Sequence, residues 1–103
     1  MITVVVQFAL PAPLTRGEAK AIFRETAPKY RDVQGLIRKY YLLSEDGRTA
    51  GGVYLWSSRS EAENLYTEGW RRFVGEKYGS EPSVTYFDSP VVVDNRTGEI
   101  LED

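Results

Sequence analysis

Arg38 and Tyr40 head the side chains that could act on a bound molecule. A guanidinium offers paired N–H donors to an enolate, phenolate or carboxylate, and a phenol hydroxyl can stand beside it. Both alternate with aliphatic residues in the run from Leu36 to Leu43. Trp70 and Phe73 lie three apart in an apolar helical stripe and would supply aromatic walls, while Gly51 sits where a missing side chain leaves room. An apolar pocket with a few convergent polar groups is the usual form of a small-molecule site. Each of these residues, taken alone, also fits a plainer role. Arg38 can snorkel from an edge strand, the rings can be core, and the Gly51-Gly52 pair can mark a bulge or a glycine covered by the Tyr41 ring. No catalytic residue is assigned.

The residues that are missing narrow the chemistry further. The chain has no histidine and no cysteine, which removes the commonest metal ligand, the usual neutral-pH base and any thiolate nucleophile. The expectation is a protein without metal or other cofactor. Asn64, Glu68 and Asp88 are polar, but their spacing matches that of solvated surface residues, and Glu99, Glu102 and Asp103 read as a solvated tail. The net charge is −2, with both signs interleaved. With no basic stripe to neutralise phosphates, nucleic acid is an unfavourable partner. Neither a secretory signal nor a membrane-length apolar run is present, so the expected location is the cytoplasm. At 103 residues, 42% hydrophobic and 27% charged, the chain reads as one globular domain over residues 1–103.

The elements that must position these groups follow from periodicity. Ile2, Val4, Val6, Phe8 and Leu10 alternate as in a half-buried strand, which Pro11 and Pro13 stop. Thr15 with Glu18 has capping-box spacing, and Ala19, Ile22, Phe23, Ala27 and Tyr30 continue along one helical face, with a kink or end expected near Pro28. A strand from Gly35 to Leu43, a turn at Glu45-Asp46-Gly47-Arg48 and a strand ending at Trp56 make a hairpin. Ser58 and Glu61 cap a second helix that carries Trp70 and Phe73, runs to Tyr78 and bends at Gly69. Val84 to Phe87 forms a fourth strand, Val91 to Val93 a short extension, and Asp94 to Gly98 a turn. The order βαββαβ is that of an α+β ferredoxin-like sandwich, an antiparallel sheet with two helices on one face.

A two-residue turn centred on Asp46 and Gly47 pairs Tyr41 with Gly52, Lys39 with Tyr54 and Ile37 with Trp56. One sheet face then carries Ile37, Lys39, Tyr41, Leu43, Tyr54 and Trp56, and the other Leu36, Arg38, Tyr40, Leu42, Val53 and Leu55. Two helices cover one face, and the aliphatic pair Val53 and Leu55 favours the Leu36 face for that side. The other face would remain an apolar patch, most simply closed by homodimerisation.

The stretches Gly35-Leu36-Ile37-Arg38-Lys39-Tyr40-Tyr41 and Ala50-Gly51-Gly52-Val53-Tyr54-Leu55-Trp56 resemble the YdhR-like monooxygenase family of the dimeric α+β barrel superfamily. Ser83 to Asn95 also looks like the C-terminal part of some members, and the resemblance spans nearly the whole chain. It implies a ferredoxin-like dimer with a cavity between sheet and helices. It further implies a cofactor-independent monooxygenase for a small aromatic or enolisable substrate, the substrate itself supplying the electrons. The alternatives are a non-catalytic small-molecule binding protein, or an isomerase or cyclase of the same superfamily.

Overall fold

The computed structural model describes all residues, 1–103. Strands β1 (Ile2–Ala9), β2 (Leu36–Leu43), β3 (Thr49–Trp56) and β4 (Ser83–Asp88) form an antiparallel sheet in the order β2-β3-β1-β4. Helix α1 (Arg16–Tyr30) links β1 to β2, and helices α2 (Arg59–Leu65) and α3 (Glu68–Tyr78) link β3 to β4. A separate hairpin, β5 (Val91–Asp94) with β6 (Glu99–Glu102), ends the chain. This is the expected ferredoxin-like arrangement, with the helices on one face of the sheet.

The capping signals are realised. The Thr15 hydroxyl accepts from the Glu18 amide while the Glu18 carboxylate accepts from the Thr15 amide, and Ser58 accepts from the Glu61 amide. Pro28 sits inside α1, which ends only two residues later at Tyr30. The second helix differs from expectation: it breaks before Gly69, at Tyr66 and Thr67. The Thr67 hydroxyl caps a new helix by accepting from the Trp70 amide. Capping by a hydroxyl outweighs continuation here, and the break turns the Tyr66 ring into the core. The C-terminal acidic residues Glu99, Glu102 and Asp103 are exposed as expected, with Glu99 and Glu102 paired into β6.

The hairpin register is as expected from Tyr41↔Gly52 and Lys39↔Tyr54, although its loop spans four residues. The Ser44 amide donates to the Thr49 carbonyl and Gly47, at φ 73°, closes the inner turn. Two-residue and four-residue loops about the same centre give the same register. At the far end a bulge between Leu36 and Arg38 pairs Leu36, in place of Ile37, with Trp56 and leaves Ile37 47% exposed.

The face assignment is reversed. Tyr54 and Trp56 are buried beneath the helices with Val4, Val6 and Phe8, whereas Tyr40 on the opposite face is 51% exposed. The aromatic residues win the interior because they bury the most area and their polar tips find partners. Trp56 Nε1 donates to the Tyr66 hydroxyl at 3.0 Å, and Trp70 Nε1 to the Tyr30 hydroxyl at 3.0 Å. Edge-on contacts of Tyr54 with Tyr66 (5.3 Å) and of Tyr66 with Trp70 (4.9 Å) extend this network.

Candidate functional site

Between the sheet and helices α1 and α3 lies a narrow cavity of about 20 Å³. β1 contributes Val6 and Phe8, α1 Phe23, Thr26 and Tyr30, β2 Lys39 and Tyr41, β3 Gly51 and Tyr54, and α3 Trp70, Phe73, Val74 and Tyr78. That volume accommodates about one water-sized guest. The flexible part of its lining is Lys39.

Three of the five residues singled out from the sequence, Gly51, Trp70 and Phe73, line this cavity. Gly51 is there for a different reason from the one expected. A Cβ at that position would fall 1.8 Å from the Val6 carbonyl oxygen, so the close approach of β1 demands glycine and no ligand space is opened by it. The other two residues, Arg38 and Tyr40, belong to the opposite face. Arg38 donates to the Asp94 carboxylate at 2.8 Å and to the Tyr40 hydroxyl at 3.2 Å. The strand pleat carries both away from the cavity, and Arg38 instead anchors β5 to β2. Its guanidinium holds the Asp94 carboxyl below the usual carboxylate range. Asn64, Glu68 and Asp88 are exposed.

The residue that sequence reasoning missed is Lys39. Its Nζ lies 3.4 Å from the ring centroid of Tyr30, 3.7 Å from that of Tyr41 and 4.7 Å from that of Tyr54. It forms no ion pair, and no carboxylate lines the cavity. The glycine opposite Tyr41 helps place it. The Lys39 chain passes 3.5 Å from where a Gly52 Cβ would stand, while the Tyr54 ring and Tyr40 carbonyl close in to 3.0 Å.

Burial, reinforced by the charge of Lys29, lowers the Lys39 ammonium from the ordinary lysine value to about 7. The three ring faces pull the other way by favouring the cation. Lys29 Nζ itself sits 3.9 Å over Phe73 and 5.7 Å over Tyr30. Burial raises the Tyr41 and Tyr54 hydroxyls, and Tyr78 to about 12. These phenols therefore act near neutral pH as walls and hydrogen-bonding groups, as Tyr41 does with Thr26 at 2.7 Å. Lys39 is the cavity group that can exchange a proton there. The available signal was the alternation in β1: antiparallel pairing of Val4 with Tyr54 puts Lys39 among core residues.

An open groove of about 330 Å³ borders the cavity and shares Phe23 and Tyr41 with it. Those two rings stack at 4.8 Å. Arg16, Lys20 and Arg24, one helical turn apart on α1, line the groove, and none of them is in an ion pair. Elsewhere, no three His, Cys, Asp or Glu side chains converge as metal ligands would, and no helix is long and apolar enough to cross a membrane.

The family model described as "Putative mono-oxygenase ydhR" matches residues 3–86, the four-stranded sheet and its helices without the terminal hairpin. No curated protein gives a significant match. The chain is similar to the crystal structure of SnoaB, a cofactor-independent oxygenase from Streptomyces nogalater. There the identity is 18%, with 85% of this chain and 91% of that chain covered at a TM-score of 0.62. It is also similar to a monooxygenase from the gene ActVA-Orf6 of Streptomyces coelicolor in complex with the ligand Nanaomycin D. The identity is 17%, the coverage 85% and 86%, and the TM-score 0.65. Rv0793 from Mycobacterium tuberculosis matches at 21% identity, 85% and 93% coverage and a TM-score of 0.62. At these identities the likeness is one of fold.

Proposed function

Because the chain belongs to the ydhR mono-oxygenase family, we propose that residues 1–103 act as one domain that oxygenates a small aromatic or enolisable substrate without metal or flavin. The observation that best supports this reading is the aromatic cavity between sheet and helices with Lys39 in its lining. The structural likeness to a cofactor-independent oxygenase and to a ligand-bound monooxygenase agrees with it. For a hydroxyaromatic substrate the electrons come from the ring. One atom of O₂ becomes a new quinone carbonyl, and the other leaves as water with the ring-carbon and phenolic hydrogens. The protein's part is to exclude water, hold the ring against Tyr30, Trp70 and Phe73, and stabilise the substrate anion as charge develops.

The second copy expected from the sequence belongs to the same proposal. The helices leave one sheet face uncovered, where Tyr40 and Phe87 are each 51% exposed. Pairing two such faces in a cytoplasmic homodimer would remove that surface from water at a gain of roughly 25 cal/mol per Å² before association costs. Sedimentation at micromolar concentration tests this, and a solitary protomer would overturn it.

Oxygen consumption by chelator-treated protein on a panel of phenols, naphthols and 1,3-diketones tests the activity. The expected result is uptake proportional to protein with at least one compound. A flat trace throughout would overturn the reading. Tight binding of an unchanged compound would then assign a binding protein, and product formed without oxygen uptake an isomerase or cyclase.

A further inference from the structure

Resting on that reading and deepening it, we propose that Lys39 is both the base and the counter-ion for an acidic hydroxyaromatic or enolic substrate, held as its anion inside the Tyr30–Tyr41–Tyr54 box. In the step, the substrate O–H bond breaks and an N–H bond forms on the Lys39 amine. The electron pair stays on oxygen, and a phenolate or enolate is left beside an ammonium. Nothing is oxidised or reduced at this stage.

Three observations converge on this role. Lys39 occupies a partly buried place that a methionine or leucine would fill without drawing a charge away from water, and no carboxylate pairs with it. Its tip lies over ring faces and still reaches solvent, with neither hydrogen bond nor ion pair to hold it. A four-carbon chain so loosely held can swing aside, freeing the space a ring needs and bringing Nζ onto the ring's oxygen. The surroundings also favour an anion. Arg16, Lys20 and Arg24 border the wall formed by Phe23 and Tyr41, and Lys29 stands over Phe73, so four cations lie at the approach an anion would use.

The titratable groups facing Lys39 in the cavity are Lys29 and Tyr30 from α1, Tyr41 from β2, Tyr54 from β3 and Tyr78 from α3, and Arg31, Asp32 and Arg38 share the open groove on its other side. Tyr78 lies beside the Lys77–Glu25 ion pair. Lys29 favours the neutral amine of Lys39, and burial raises the Tyr41, Tyr54 and Tyr78 hydroxyls. The amine is therefore the group in this cavity able to accept a proton near neutrality.

4-Nitrophenol, whose phenol and phenolate absorb at different wavelengths, serves as the probe. Bound to the wild-type protein, it should ionise at least about one pH unit below its free midpoint, a tenfold change in its acid constant. Lys39→Met and Lys39→Gln should bind it without that shift while melting at or above the wild-type temperature, which verifies the fold. Failure of the probe to bind, or to shift when bound, would overturn the proposal, as would a full shift in either folded variant. A Lys39-dependent shift without oxygen uptake from any hydroxyaromatic would uphold Lys39 as anion holder and sink the oxygenase reading. Oxygen uptake that survives Lys39→Met would do the reverse.

Discussion

Arg38 and Lys39 are neighbours in one strand, and the pleat sends them to opposite worlds. Arg38 faces the uncovered side of the sheet, where it meets Asp94 and the Tyr40 hydroxyl and fastens the terminal hairpin. Lys39 faces the helices and meets three tyrosine rings with no anion among them. A paired cation serves the architecture, whereas a partly buried one with no anion beside it weakens the fold and remains available for chemistry. The two faces differ likewise in their rings. Those beneath the helices have hydrogen-bonded tips and edge-on neighbours, while Tyr40 and Phe87 lie half exposed.

Truncating the covered face should have the largest effect. Trp56 is fully buried, and Trp56→Ala should cost about 3–5 kcal/mol of unfolding free energy in denaturant titrations. Phe87→Ala on the open face should leave the protomer's stability nearly unchanged. Equal losses at the two positions would erase the contrast.

Removing the misfit charge comes next, and its sign is opposite. With a folded-state value of about 7, Lys39 binds fewer protons folded than unfolded between pH 7 and the ordinary lysine range. Stability therefore rises with pH across that window, and the full penalty stands below it. Lys39→Met should stabilise the protein by on the order of a few kcal/mol at neutral pH and flatten that rise. Melting curves at several pH values from 6 to 10 measure both.

Smaller still, Tyr66→Phe removes the acceptor for buried Trp56 Nε1 and should cost about 1–3 kcal/mol by chemical denaturation. Smallest is Arg38→Met. Arg38 is 44% exposed, so water screens its side of the pair, but Asp94 is only 8% exposed and would lose its cation, so the melting temperature should fall slightly. Looser protection of the β5–β6 amides in hydrogen exchange would be the visible change.

Much of this arrangement was legible from local pattern. Alternation located β1, capping boxes placed the starts of α1 and α2, and the hairpin register survived a change of loop length because Ser44 and Thr49 share its centre. The bulge at Ile37 escaped because cross-strand packing decides it, whereas the Thr67 cap and the β5–β6 hairpin closed at Asp94 and Glu99 are local features that the continuous apolar stripe and the acidic composition masked. For the site, Gly51, Trp70 and Phe73 emerged from pattern, while Arg38 and Tyr40 stood in for Lys39 and Tyr41. That exchange follows from a single choice of face made on the aliphatic pair Val53 and Leu55. Area and hydrogen-bonded tips favour Tyr54 and Trp56 inside, and one inverted face moves every side chain of the strand.

Direct titration of the Lys39 side chain by NMR at its labelled Cε and Nζ, assigned by loss of the signal in Lys39→Arg, goes to the centre of this. A midpoint near 7, well apart from the other lysines, is the expected result. A midpoint in the ordinary lysine range would contradict a partly buried, unpaired amine poised for substrate chemistry.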